Sequence, residues 1–248
     1  MQLTFPNKVA WRRYIDSNPY FASTRKSNRL ANFLKKIKSA NISYTIVDLN
    51  ETEGFYEWFN IRYRAMLADK ANPLAFDVAS YTLSDGRQPA QKCALLLREK
   101  GELIGATIFF AMRQSLNIAF KTYPFSWQTD QVLQIGPSLY AEYLLYEHAK
   151  RCRKDFISSG VDRNLYGVHA DIGLATFKFS AGYNPRSVAK PEYTTIEQSS
   201  INKDTLVFLS ETDQAGFLTK AKLFTADPDR YTMLLKSTKH TQIETIQL

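Results

Sequence analysis

The sequence predicts a mixed α/β protein whose mostly antiparallel central sheet is flanked by helices, and three observations carry that prediction. Apolar runs at 93–98, 103–112 and 116–123 follow one another too closely for crossover helices, so they predict an antiparallel meander. Helical stripes precede them: Leu30, Phe33, Leu34 and Ile37 at i, i+3, i+4, i+7, then Phe55, Trp58, Phe59, Tyr63 and Met66. The tail after Tyr193 returns to short alternating apolar runs. A chain of 248 residues suffices for one large domain, and no Pro-, Gly- or Ser-rich linker divides it. One domain over residues 1–248 is expected.

Taken in order, residues 1–40 predict a basic helical segment, capped at Thr24 or Ser27 and ending near Asn41. A strand follows at 43–49. The helix over 51–69 has acids in its first turn, which favour its N-terminal dipole, and Asn72-Pro73 ends it. A short helix is predicted at 76–83, stopped by Ser84-Asp85-Gly86. Lys100-Gly101 supplies the tight turn between the first two meander strands. After Gly136-Pro137-Ser138 a helix runs over 139–153, and Gly160 falls in the loop behind it. Residues 164–169 read as a buried strand and 173–181 as a short helix closed by Gly182. Residues 205–209 and 231–235 read as late strands of a β-rich C-terminal extension over 191–248.

Charge is distributed unevenly. Residues 1–40 hold nine basic side chains and one acid, which is the whole net charge of +8; residues 41–248 balance at 23 of each sign. Such asymmetry suits an anionic donor or carrier, RNA or a membrane surface, or else a solvated helix face. No apolar run reaches the ~20 residues of a membrane-spanning helix, so stable membrane insertion is not expected. The opening residues lack the basic and long apolar stretches of a signal peptide, which predicts a cytoplasmic location. Two cysteines, Cys93 and Cys152, make neither a disulfide framework nor a zinc site alone, and no metal is expected. No P-loop or G-x-G-x-x-G turn is present.

Several short motifs resemble one family. Phe177-Lys178-Phe179-Ser180-Ala181-Gly182-Tyr183-Asn184-Pro185 is similar to the Phe-Lys, Gly, Pro signature that closes FemAB-like domains of the GNAT acyltransferase superfamily. Lys100-Gly101-Glu102-Leu103-Ile104-Gly105-Ala106 resembles the hairpin between their second and third strands, and Trp11-Arg12-Arg13-Tyr14-Ile15 before Pro19-Tyr20-Phe21 resembles their opening. The resemblance covers residues 10–190 and implies a GNAT-like fold. It further implies N-acyl transfer from acyl-CoA, acyl carrier protein or aminoacyl-tRNA to an amine of a sugar nucleotide, amino acid or peptide. The alternative is a non-catalytic module on the same fold that binds RNA, a carrier protein or a membrane.

The donor loop that the resemblance implies aligns with Leu133-Gln134-Ile135-Gly136-Pro137-Ser138. Gln134, Gly136 and Ser138 are its candidate ligands, and Arg186 with Lys190 extends the anionic subsite. Leu133 departs from the family's Arg/Gln, and Pro137 removes one backbone donor. Amide formation needs a proton acceptor and an oxyanion stabiliser. Lys178 is the candidate for the stabiliser, or else a surface lysine. His169 with Asp171, at the end of the strand over 164–169, is a candidate base or a structural pair. Glu142 and Tyr146 at i, i+4 can present an acid and a phenol on one helix face, or can simply pack.

Overall fold

The structure, a computed structural model, describes residues 1–15, 24–49, 54–68, 76–82, 90–124, 126–127, 135–238 and 240–248, with backbone alone for 24–30. The fold is mixed α/β, with a large, mainly antiparallel sheet flanked by helices. The chain forms two compact units, one of Tyr14–Ile157 and one of Met1–Arg13 with Ser158–Leu248.

In the first unit, β3 (Ile42–Asp48), β4 (Gln91–Glu99), β5 (Glu102–Ala111) and β6 (Ser115–Thr122) form the expected antiparallel meander. Lys100 and Gly101 turn the chain with φ of 52° and 88°, and the glycine takes the second left-handed position at no steric cost. Helix α2 (Phe55–Ala68) lays Phe55, Phe59, Tyr63 and Leu67 against Ala94, Leu96, Ala106, Ile108 and Phe120. Of the expected stripe, Trp58 and Met66 are only partly buried, and Leu67 joins it. Helix α1 (Thr24–Ser39) buries Phe33 and Ile37, and the Phe33 ring meets Tyr140 of α3 (Pro137–Arg151) edge-on at 5.4 Å. Lys35, Lys36 and Lys38 remain exposed on α1. Gly105 permits a close approach, because a Cβ there would overlap the Tyr123 ring and the Thr122 carbonyl.

The second unit contains β1 (Gln2–Pro6), which pairs antiparallel with β9 (Tyr193–Glu197), and β2 (Lys8–Tyr14), which lies between β7 (Phe156–Arg163) and β8 (Asn184–Ser187). A third sheet places β11 (Lys220–Thr225) between antiparallel β10 (Thr205–Phe208) and parallel β12 (Gln242–Gln247). Trp11 is fully buried, with edge contacts to Tyr166, Phe179 and Phe208 at ring separations of 6.4, 5.1 and 5.6 Å. Edge-to-face aromatic packing adds to the area these rings bury. Helix α4 (Ile172–Ser180) ends in a Schellman motif: Gly182 N–H bonds Phe179 O at 2.9 Å and Tyr183 N–H bonds Lys178 O at 3.0 Å. Gly182, at φ 86°, closes the helix as expected.

Five expectations are corrected. Residues 2–6 and 8–14 are strands, and the helix of the basic segment is 24–39. Residues 76–82 hold a turn, because the Asp77 carboxylate accepts from Ala79 N–H and the Ser80 hydroxyl instead of letting a helix propagate. Gly160 lies inside β7, where it takes φ 79°. Residues 164–169 are a turn held by the Asn164 side chain, which donates to Pro6 O and Phe208 O at 2.8 Å each. Residues 231–235 are helical, at the junction of a 3₁₀ turn with α5 (Thr232–Ser237).

The extension after residue 190 is integral to the second unit. Leu3 and Phe5 of β1 are 5% and 1% exposed and pack with Val207 and Phe224. Truncation at Pro191 is therefore expected to give insoluble or molten protein that binds hydrophobic dyes, as solubility and near-UV dichroism would report. A soluble fragment with a cooperative melt would contradict this.

Candidate functional site

In the first unit α3 begins without a side-chain cap. Gly136 is its N-cap, extended at φ −71° and ψ 163°, with no side-chain cap, and Pro137 takes the first helical position. Proline there loses a donor that the helix does not use and pre-sets the backbone. The Leu139 and Tyr140 N–H groups both turn to Gly136 O at 3.1 Å, which leaves the Ser138 N–H and hydroxyl at the positive end of the helix. Such an end attracts phosphate or carboxylate. The Trp127 indole pins the approach by donating to Ile135 O at 2.7 Å.

Aromatic side chains continue from this end. Tyr140 and Tyr143 stack at 6.3 Å and 18°. Burial pushes the Tyr140 phenol up to about 12 and raises that of Tyr143, so both stay neutral donors at physiological pH. The Tyr123 hydroxyl is within 2.8 Å of Thr107 Oγ1, and burial raises its pKa as well. Glu142 does not share a presented face with Tyr146. Its fully buried carboxylate forms an ion pair with Lys121 of β6, while the Tyr146 hydroxyl donates to Ile15 O at 2.7 Å.

The other candidates belong to the second unit. Lys178 is 4% exposed and lies within α4; its ammonium donates to both Asp162 oxygens at 2.9 and 2.7 Å and to Ser159 O at 2.9 Å. It also lies over the Trp11 ring at 5.5 Å. The Tyr166 hydroxyl, kept protonated by burial, donates to Asp162 Oδ2 at 2.7 Å and accepts from Trp11 Nε1 at 2.8 Å. This is a satisfied internal network, so Lys178 is not the surface lysine of the other reading. His169 is exposed in the turn, with its N–H on Leu165 O at 3.0 Å. Asp171 is the N-cap of α4 and accepts from Gly173 N–H. Arg186 is half-buried on β8, beside Gly216.

Glu142, Gly136 and Ser138 thus fall in the first unit, and Lys178, His169, Asp171 and Arg186 in the second. Leu133 and Gln134 lie outside the described residues. Sequence reasoning missed Asp162, Tyr166 and Trp11 as partners of Lys178. Their only local signal was a buried-type lysine near aromatic residues. Among the described residues no three His, Cys, Asp or Glu side chains gather as a metal site, and no helix is long and apolar enough to cross a membrane.

No protein-family model matches the chain, and no curated protein matches it. Solved structures do. The C-terminal domain of a putative lysylphosphatidylglycerol synthetase from Agrobacterium fabrum is similar at a TM-score of 0.50 and 10% identity, over 78% of this chain and 61% of that one. L-PGS from Bacillus licheniformis is similar at 0.50 and 14%, over 80% of this chain and 63% of that one. The chain therefore spans about three fifths of the length of these structures. At such identities the likeness establishes the fold alone, the one this chain shares with those two structures.

Proposed function

We propose that the chain is an acyltransferase that moves an aminoacyl group from tRNA to a small amine, in the manner of FemAB-like enzymes, and that it acts in the cytoplasm. The fold shared with two structures named for lysylphosphatidylglycerol synthesis carries this reading. The choice of donor is supported by α1. Phe33 and Ile37 of its apolar stripe are spent on packing, while Lys35, Lys36 and Lys38 stay exposed, an extent of positive charge that suits a polynucleotide better than a single pyrophosphate. In this reading the N-terminal end of α3, with Ser138, holds a donor phosphate. The acceptor amine attacks the activated carbonyl, a proton leaves the nitrogen, and the ester oxygen departs as the hydroxyl of the tRNA end.

The test supplies full-length protein with mixed aminoacyl-tRNA or acetyl-CoA and a panel of amino sugars, amino acids and peptides, and follows transfer of the labelled acyl group. Transfer from tRNA alone supports the reading. Transfer from acetyl-CoA alone moves the donor to a small thioester, and tight RNA binding without transfer favours the non-catalytic module. A second expectation concerns salt. Replacing Lys35, Lys36 and Lys38 by Gln is expected to weaken tRNA binding at low salt. The slope of log K against log salt should fall by ~0.7–0.9 for each lysine that contacts a phosphate. An unchanged slope, measured by fluorescence anisotropy, would leave those lysines as a solvated face.

A further inference from the structure

A cavity of about 290 Å³ opens in the first unit at the C-terminal end of α3. Val47 and Leu116 give it apolar walls, and Cys93, His148, Cys152 and Lys154 bring polar chemistry to it. Cys152 is the C-cap of α3, and its N–H bonds His148 O at 2.9 Å. The spacing of four places both side chains on one face, with Sγ 3.7 Å from His148 Nε2. The segment behind the thiol is tied down: Lys154 Nζ donates to Met112 O at 2.6 Å and to Arg113 O at 3.3 Å, and Asp155 N–H bonds Gln114 O at 2.8 Å.

The two thiols of this cavity differ in access. Cys152 is exposed and has an imidazole beside it. Cys93 is buried in β4, and burial pushes its thiol up to about 11, which leaves almost no thiolate at neutral pH. Burial, with Arg151 and Lys154 nearby, holds His148 below the usual range, so its ring is neutral and can take a proton. Lys150, Arg151, Arg153 and Lys154 flank Cys152 in the chain, against Asp48 in the cavity lining and Asp155 three residues on, so the local balance of charge is positive and favours an approaching anion.

We propose that this cavity is a modification site at which Cys152 exchanges with a small acidic disulfide such as oxidised glutathione. His148 accepts the Cys152 thiol proton, and the thiolate attacks one sulfur of the disulfide. That S–S bond breaks as the Cys152–sulfur bond forms, and the departing thiolate recovers the proton from His148. The products are one mixed disulfide on the protein and one small thiol, with no net oxidation. The inference rests on the cavity and its side chains, and is independent of the proposed acyl transfer.

The experiment treats the reduced full-length chain with oxidised glutathione or with cationic cystamine at low salt and follows intact mass and peptide maps over time. One adduct is expected, on Cys152, formed several-fold faster with glutathione. Cys152→Ser should form none, Cys93→Ser should react like the parent, and His148→Gln should react several-fold more slowly. Comparing the two disulfides needs no variant, so that arm stands even if the histidine variant folds poorly. An adduct on Cys93, equal rates with the two disulfides, or a parental rate in a folded His148→Gln protein would overturn the proposal.

Discussion

Asp162→Ala is expected to lower the stability of the second unit by about 3–5 kcal/mol, the usual cost of leaving one partner of a buried ion pair uncompensated. The side chains of Lys178 and Asp162 are 5% and 14% exposed, so water cannot replace the lost carboxylate without opening the unit. The loss also orphans the Tyr166 hydroxyl, whose proton now goes to Asp162 Oδ2. Urea unfolding should show a lower midpoint with an unchanged slope. The double variant Asp162→Ala, Lys178→Met removes both charges and should recover much of the loss. A single variant within ~1 kcal/mol of the parent would mean that the network is no anchor. Because Lys178 stands inside this network, its replacement is expected to lower stability as well as any turnover it supports.

Gly167→Ala is expected to be comparably severe. Gly167 holds φ 93°, and a Cβ there would overlap the Asp204 carbonyl oxygen, a backbone atom that no rotamer change can move. The left-handed conformation costs a side-chain-bearing residue about 1–2 kcal/mol, and overpacking typically adds about 1–3. The segment it would push away includes the paired hydrogen bonds of Tyr166 with Leu206, at 2.9 Å in each direction. A melting temperature unchanged from the parent, read by circular dichroism, would contradict the prediction.

Periodicity reached the elements that are amphipathic by themselves. The α2 stripe, the meander, α3 and the glycine stop after α4 all stand where local spacing puts them. Elements defined by distant partners did not show in that way. Only Ile157 of β7 is buried, its glycine takes a left-handed φ, and nothing in Phe-Ile-Ser-Ser-Gly-Val-Asp-Arg alternates as a half-buried strand does. Asn164 looked like a strand residue because its bonds to Pro6 and Phe208 come from remote parts of the chain. The candidate site shows the same divide. The end of α3 is written locally in Gly136-Pro137-Ser138, whereas the fate of Lys178 depends on an aspartate sixteen positions earlier.

The second unit is built from two stretches far apart in sequence, with β1 registered against β9 from Gln2↔Glu197 to Pro6↔Tyr193. During synthesis, then, β1 must wait for residues 193–197 before its partner exists. The intervening Tyr14–Ile157 is continuous and can collapse as it emerges, so the order expected is folding of this unit first and completion of the other afterwards. Pairing at such sequence separation is slow because the loop-closure entropy is lost before the contacts form. Until then Leu3 and Phe5, apolar and strand-forming, lack the partners that bury them. That makes β1 the segment of this unit where chaperone capture or misassembly is expected to begin.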